Sequence, residues 1–379
     1  MRRIDHPWKW LLRGGLSCAA LAIAYYVYSD PLRNRTYTMD ATPKKIEALF
    51  RDTKPVCFGR YLIDVPKRAE VMWGPSDIDY EIVSYPGEGR KISAEISDKI
   101  KELKEEKHRT EPSLFIGVFD GPNPSSKIVV GYERSDDTYG ANLYSYIRLG
   151  NNAYVQSARG TTLATRDDAA PMGLKYDKTL YKKDVAILQD VASRLRERTD
   201  EAVPTEPGIC IEAGFFSGMT PQYQERVAIG FRFPEFPDVS FSFSSFKTKH
   251  YDKSNTLEWS LNEGKQFADV LDKGTLWHRI DMLQKGPRTI AGWQGDEALA
   301  RMPEDGDTPS HHQFKFNYAG KPTFDFQHPV VDIRMETGVV DDTVGATHPS
   351  LSNDEAVALW NKLTSSIRLR PTMAVSSQP

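Results

Sequence analysis

Pro55-Val56-Cys57-Phe58-Gly59-Arg60-Tyr61-Leu62-Ile63-Asp64-Val65-Pro66 is answered downstream by Pro207-Gly208-Ile209-Cys210-Ile211-Glu212-Ala213-Gly214-Phe215-Phe216, the two cysteines lying 153 residues apart. Each stretch reads as an apolar strand bearing one Cys, and each is followed by strands, one amphipathic helix, more strands and a closing helix, at Tyr181–Arg198 or Asn353–Ile367. Runs of antiparallel strands broken by single helices describe an α+β fold. The chain therefore reads as two tandem related domains, 55–200 and 207–371, each a mainly antiparallel sheet with helices packed on one face. A signal or membrane-anchor segment at 1–30 and a tether at 31–54 precede them, and a polar tail expected to be disordered follows at 372–379.

Within the first half, Ile92, Ile96, Ile100 and Leu103 recur at helical spacing among Lys and Glu, which predicts an amphipathic helix from about Lys91 to His108. Strands are expected at Leu114–Phe119, Lys127–Glu133, Ala141–Leu149 and Ala153–Arg159, the last two joined by the turn Gly150-Asn151-Asn152. In the second half Val227, Ile229, Phe231 and Phe233 alternate with smaller or polar residues, and Phe241 and Phe243 alternate with Ser240, Ser242 and Ser244, the pattern of half-buried antiparallel strands. A helix at about Thr256–Leu271 follows, then Ile280–Lys285, then Arg288–Glu297, whose glycines suit a strand with a bulge or tight bend, and further strands are expected at His311–Tyr318, Thr323–Gln327 and Val330–Thr337. Ser352-Asn353-Asp354-Glu355 is a capping box opening the last helix, with Leu359, Trp360, Leu363 and Ile367 as its buried stripe.

The 379 residues carry 49 Lys and Arg against 52 Asp and Glu, so there is no basic excess to neutralise phosphates and nucleic acid is not the expected partner. Arg2, Arg3, Lys9 and Arg13 precede an uncharged run from Gly14 to Tyr28, the layout of an export signal or anchor. Cleavage after Ala22-Ile23-Ala24, retention of residues 11–28 in the inner membrane, and lipidation at Cys18 are three fates for this segment. All three leave the body in the periplasm. Beyond Cys18 the only cysteines are Cys57 and Cys210, too few for a zinc framework. They are either one disulfide stapling the domains in an oxidising compartment or two buried thiols on corresponding strands.

Catalytic and cofactor motifs do not accompany this pattern. There is no Gly-x-Ser-x-Gly nucleophile elbow and no Gly-x-x-x-x-Gly-Lys-Ser/Thr phosphate loop. His311-His312 is the one histidine cluster, and adjacent strand residues face opposite ways, so the pair is expected at a surface or edge rather than on a metal. The sequence thus nominates no catalytic, cofactor or metal residue, and a binding protein is favoured over an enzyme. A membrane-tethered envelope binding or scaffold module is the alternative.

The same stretches carry a resemblance. Cys57-to-Pro66, Cys210-to-Phe215, Gly230-Phe231-Arg232-Phe233-Pro234 with Phe236-Pro237-Asp238-Val239, Gly292-to-Glu297, and Ala358-Leu359-Trp360 with Ser366-to-Pro371 resemble the immunity proteins of type VI secretion lipase effectors, over roughly residues 55–371. The resemblance implies a periplasmic antitoxin, not an enzyme, whose two domains grip a cognate secreted phospholipase around the lid over its active site. The motifs are of a structural kind and transfer no contact residues. Recognition concentrates on loops and aromatic anchors, so the hairpin Pro234–Asp238, with Phe236 and Asp238, and the loop Gly320–Pro322 are the candidate contacts, core packing of Phe236 being the competing role.

Overall fold

Antiparallel pairing dominates the structure, a computed structural model that describes residues 31–136, 140–162, 179–270 and 274–372. The expected anchor at 1–30, its membrane span 11–28, Cys18 and the tail 373–379 lie outside the described residues. Among those described, no helix is long and apolar enough to cross a membrane.

The first half comprises α1 (Lys44–Leu49), β1 (Thr53–Phe58), β2 (Tyr61–Pro66), β3 (Glu70–Ile78), β4 (Tyr80–Tyr85), α2 (Ile92–Glu105), β5 (Phe115–Asp120), β6 (Lys127–Tyr132), β7 (Gly140–Leu149), β8 (Asn152–Thr162), α3 (Lys182–Arg194) and β9 (Leu195–Glu197). The second comprises β10 (Gly208–Ile211), β11 (Gly214–Ser217), β12 (Glu225–Phe233), β13 (Phe236–Phe246), α4 (Leu257–Val270), α5 (Gly274–Trp277), β14 (Asp281–Ile290), β15 (Trp293–Met302), β16 (His311–Tyr318), β17 (Val330–Glu336), α6 (Asn353–Ser366) and β18 (Arg368–Leu369).

Twelve strands form one sheet in the order β14-β15-β16-β17-β13-β12-β3-β4-β8-β7-β6-β5. Read outward from its centre, β12-β13-β17-β16-β15-β14 and β3-β4-β8-β7-β6-β5 are the same topology, so the duplication is in the strand order as well as in the sequence. The two copies do not form separate sheets. They join edge to edge where β12 pairs antiparallel with β3, Gly230 opposite Met72 and Arg226 opposite Asp77. Neither β3 nor β4 is evident in the sequence, because β4 turns apolar Val83 and Tyr85 outward and β3 is broken at Gly74 and Pro75. They fall where the register slips between Val227 and Ile229, the kind of place where a residue without an N–H is tolerated.

The opening hairpins are exchanged between the copies. Val56, Phe58, Tyr61, Ile63 and Val65 of β1-β2 are buried against Phe231, Phe243, Trp293 and Trp360 of the second half. Ile209, Ile211 and Phe216 of β10-β11 are buried against Ile78, Ile147, Tyr154 and Val191 of the first. The short closing strands follow suit: β18, at the end of the second half, pairs with β2, and β9, at the end of the first, pairs with β11. Each core is therefore completed by a segment from the other half, so linear boundaries at 200 and 207 do not divide the cores.

Helices lie on both faces of the long sheet, not on one. Val185 and Leu188 of α3 pack with Ile128, Val130 and Leu143, whereas Ile92, Ile96 and Leu103 of α2 pack with Val129 and Tyr146, the neighbouring and oppositely directed strand positions. The second half repeats this, with α6 on Leu299, Phe314 and Ile333, and α4 on Ala298 and Ala300. The closing helix was legible in detail, since Ser352 Oγ accepts from Glu355 N while the Glu355 carboxylate accepts from Ser352 N. The expected strand at Thr323–Gln327 is instead a turn in which Asp325 accepts from the Gln327 and His328 amides.

Candidate protein-binding surface

One face of the sheet is filled and fastened. At the crossing of the exchanged hairpins, Cys57 and Cys210 are bonded with their Cα atoms 5.8 Å apart, and Gly59 and Cys210 exchange backbone hydrogen bonds of 2.8 and 2.7 Å. Gly59 is left-handed at φ 51° and a Cβ there would lie 2.8 Å from Val227 Cγ1, so glycine is required twice over. Arg60 donates to both oxygens of Glu225 across the join, at 2.7 and 3.1 Å. Lys247 reaches the same carboxylate at 3.5 Å and donates to the Thr220 and Tyr223 carbonyls; burial pushes its ammonium below the usual lysine range.

Two buried arginines secure the linker in matching ways. Arg198, just beyond β9, donates to the carbonyls of Thr199, Asp200, Ala202, Ile211 and Gly214. Arg370, just beyond β18, donates to those of Pro204, Glu206 and Gly208, and burial lowers its pKa to about 10. Such donors to backbone carbonyls satisfy an irregular segment that no strand ladder can reach.

The opposite face is bare at its centre. Helices α2 and α4 cover only the two ends, and between them lie the outward positions of β4, β3, β12, β13 and β17. Gly74, Ala228, Gly230, Ser242 and Ser244 form the floor, with Ala228 opposite Ser244 and Gly230 opposite Ser242. Met72, Val83 and Tyr85 stand exposed along it at 54%, 38% and 41%, flanked by Arg226, Arg232, Asp332 and Arg334. A solvated sheet face ordinarily carries longer polar side chains. Small residues beside exposed apolar ones make a shallow trough that a protein partner can fill.

Phe236 and Asp238, expected as partner contacts, point into the protein instead. Phe236 begins β13, is 2% exposed and is capped by the Lys45 ammonium 4.4 Å from its ring centre. Asp238 is buried and accepts from the Gly338 and Ser350 amides, both at 3.0 Å. The reason is hairpin length: the turn is only Pro234-Glu235, so the strand resumes one residue earlier than an exposed loop needs. His311 and His312 also differ from their expected edge position. Strand β16 lies between β15 and β17, and both rings are buried; His312 bonds Thr337 at 3.0 Å and Asn353 at 2.9 Å. Among the described residues no group of three or more His, Cys, Asp or Glu is placed to hold a metal.

The family-like motifs fall on packing. Gly295 leaves no room for a side chain, since a Cβ would meet Asn317 O at 2.2 Å, and buried Glu297 accepts from Trp360 Nε1 at 3.0 Å and Arg288 Nη1 at 2.8 Å, tying β15 to α6. Asp64 takes two bonds from Arg368, at 2.8 and 3.0 Å.

A duplicated sheet, internally fastened on one face and open on the other, defines a protein-binding module. Residues 54–198 match the family model described as the Tle cognate immunity protein 4 N-terminal domain, and residues 202–372 match the corresponding C-terminal domain. The chain belongs to this family of immunity proteins and is not an enzyme. Its fold is similar to the apo structure of immunity protein TplEi of the type VI secretion system from Pseudomonas aeruginosa, at 21% identity and TM-score 0.66, covering 85% of this chain and 98% of that one. It is similar to the crystal structure of the Tle4-Tli4 complex at 21% identity and TM-score 0.68, with the same coverage. No curated protein matches the sequence.

Proposed function

We propose that this protein binds and neutralises a cognate type VI secretion lipase effector, and that it does so in the periplasm with the open sheet face between α2 and α4. Membership of the immunity family and the likeness to a structure described as a Tle4-Tli4 complex support the partner class. The observation that carries the surface is the floor of Gly74, Ala228, Gly230, Ser242 and Ser244 at the join of the two halves. A partner seated there touches both copies at once, which is how two domains grip one enzyme and obstruct its active site or lid.

The disulfide suits an oxidising compartment, and the basic residues ahead of the Gly14–Tyr28 run suit export, with attachment to the inner membrane through residues 11–28. Titrating the cognate lipase with the full chain tests the function. Activity should fall to zero near one equivalent, and a lipase that stays active at excess ends the proposal. Protease added to spheroplasts should digest the body if it is periplasmic and spare it if it is cytoplasmic.

A further inference from the structure

On its β17 side the open face ends against α4 in a pocket of about 390 Å³. Ser244, Asp332 and Arg334 line it from the sheet, and Trp259 and Ser260 line it from the helix. Lys315 of β16 completes it, its ammonium donating to Ser260 Oγ at 2.9 Å and so tying α4 to the sheet. That bond fixes which stripe of the helix turns toward the pocket. At about 3.6 residues per turn, Phe267 lies on the same stripe two turns beyond Ser260. Trp259 is 36% exposed and Phe267 66%, so α4 presents aromatic surface beside the trough where a solvated helix carries polar side chains.

The pocket carries an excess of positive charge. Among the residues that line it, Lys315 and Arg334 stand against a single acid, Asp332. Its carboxylate is already engaged, accepting from Arg334 Nε at 2.7 Å, Arg334 Nη2 at 3.1 Å and Asn317 Nδ2 at 3.1 Å, with the Lys315 ammonium at 3.4 Å. Burial works against that charge, yet the bonds from Arg334 and the nearby Lys315 hold Asp332 below the usual carboxylate range. Glu336, the next outward residue of β17, lines the neighbouring apolar cavity instead. Burial pushes the Lys315 ammonium below the usual lysine range, so one carboxylate does not offset the cost of both cations. A second carboxylate entering from solvent meets unbalanced positive charge in a partly desolvated site, where charge pairs count for more than on open surface.

We propose that this pocket receives an acidic side chain of the effector, Asp or Glu, whose carboxylate pairs with Lys315 and Arg334 while Trp259 and Phe267 cover apolar residues beside it. The proposal rests on the open sheet face being the effector-binding surface, and it names the end of that surface that sets specificity. The floor of small residues accepts any partner of suitable shape. A cationic pocket under an aromatic wall selects the partner that brings a carboxylate to it, and a lipase with an apolar or basic residue there leaves two cations desolvated and unmatched.

The test is calorimetric titration of the cognate lipase with the full-length parent and its variants, at low and at high salt. Lys315→Met keeps the apolar stem and removes the charge. It should weaken binding about ten-fold at low salt, a loss of about 1.4 kcal/mol, and by less at high salt, where the parent's own ion pair is screened. Trp259→Ala should also weaken binding about ten-fold, but equally at both salts. Urea midpoints identify the folded variants, and Arg334→Gln, at a half-exposed side chain, gives the same reading if Lys315→Met does not fold. A folded charge variant that binds as tightly as the parent at low salt, or that loses as much at both salts, overturns the acidic occupant. Gly230→Trp at mid-floor separates this failure from that of the surface itself. If it weakens binding and the pocket variants do not, the pocket is wrong and the floor stands; if none of them weakens binding, the whole face is wrong and the pocket with it.

Discussion

Glu297 has three polar neighbours, Gln284, Arg288 and Trp360, and almost no solvent. Removing one partner from a buried charged cluster leaves the others desolvated and unmatched. Glu297→Ala should therefore destabilise the protein by about 3 kcal/mol, read as a lower urea midpoint. Gly292-to-Glu297 drew notice in the sequence as a glycine-rich strand with a bend; that its last residue fastens α6 was not legible, because the partner Trp360 lies 63 residues on. His312 makes a second prediction. Burial lowers its pKa below the ordinary 6.5, so the folded protein binds fewer protons than the unfolded chain. Its contribution is then complete above the unfolded value and is lost as pH falls below about 6.5 toward the folded value. Unfolding free energy should drop between pH 7 and about 5, and His312→Gln should flatten that slope.

The elements best read from sequence were those with strong periodicity: α2, α6 and the β12-β13 pair appear within a few residues of their expected ends. Strands β3 and β4 were missed because their outward positions include apolar Met72, Val83 and Tyr85 and the middle of β3 carries Gly74-Pro75, so no clean alternation survives. Those outward residues are apolar where a solvated strand would be polar, so the feature that hid the strands also marks the candidate site. The hairpin exchange had no local signal at all, since it depends on which copy each hairpin packs against. Its consequence is testable through the disulfide at the crossing. Closing so long a loop restricts the unfolded chain, so replacing Cys57 and Cys210 together with serine should cost about 2–5 kcal/mol, measured by denaturant unfolding under non-reducing conditions. The loss should be largely absent when parent and variant are compared in reductant.

For the whole molecule, fusing two sheets through β3 and β12 makes the bare central strip a property of neither copy alone. The duplication was evident from the two Cys-bearing openings, but a reading of two separate sheets with helices on one face left no such strip to find. Helices on both faces, spaced at the ends, are what expose it. Polar contacts on the fastened face, Arg60 with Glu225 and Arg370 with the linker, hold the two halves in one orientation, so the trough exists before a partner arrives. A preformed surface loses less conformational freedom on association than one that must be assembled.

Gly230 offers the most direct test, because it lies mid-floor and a Cβ there meets only ordinary contacts, Met72 Cβ and Phe241 O at 3.5 Å. Gly230→Trp should fold as the parent does and fill the trough with an indole. We would titrate the cognate lipase with the full-length parent and with Gly230→Trp, after matching their unfolding midpoints. The parent should abolish activity near one equivalent while the variant requires at least about a hundred-fold more, the loss of roughly 2.8 kcal/mol or more. A folded Gly230→Trp that inhibits at the parent's ratio would contradict the open sheet face as the effector-binding surface.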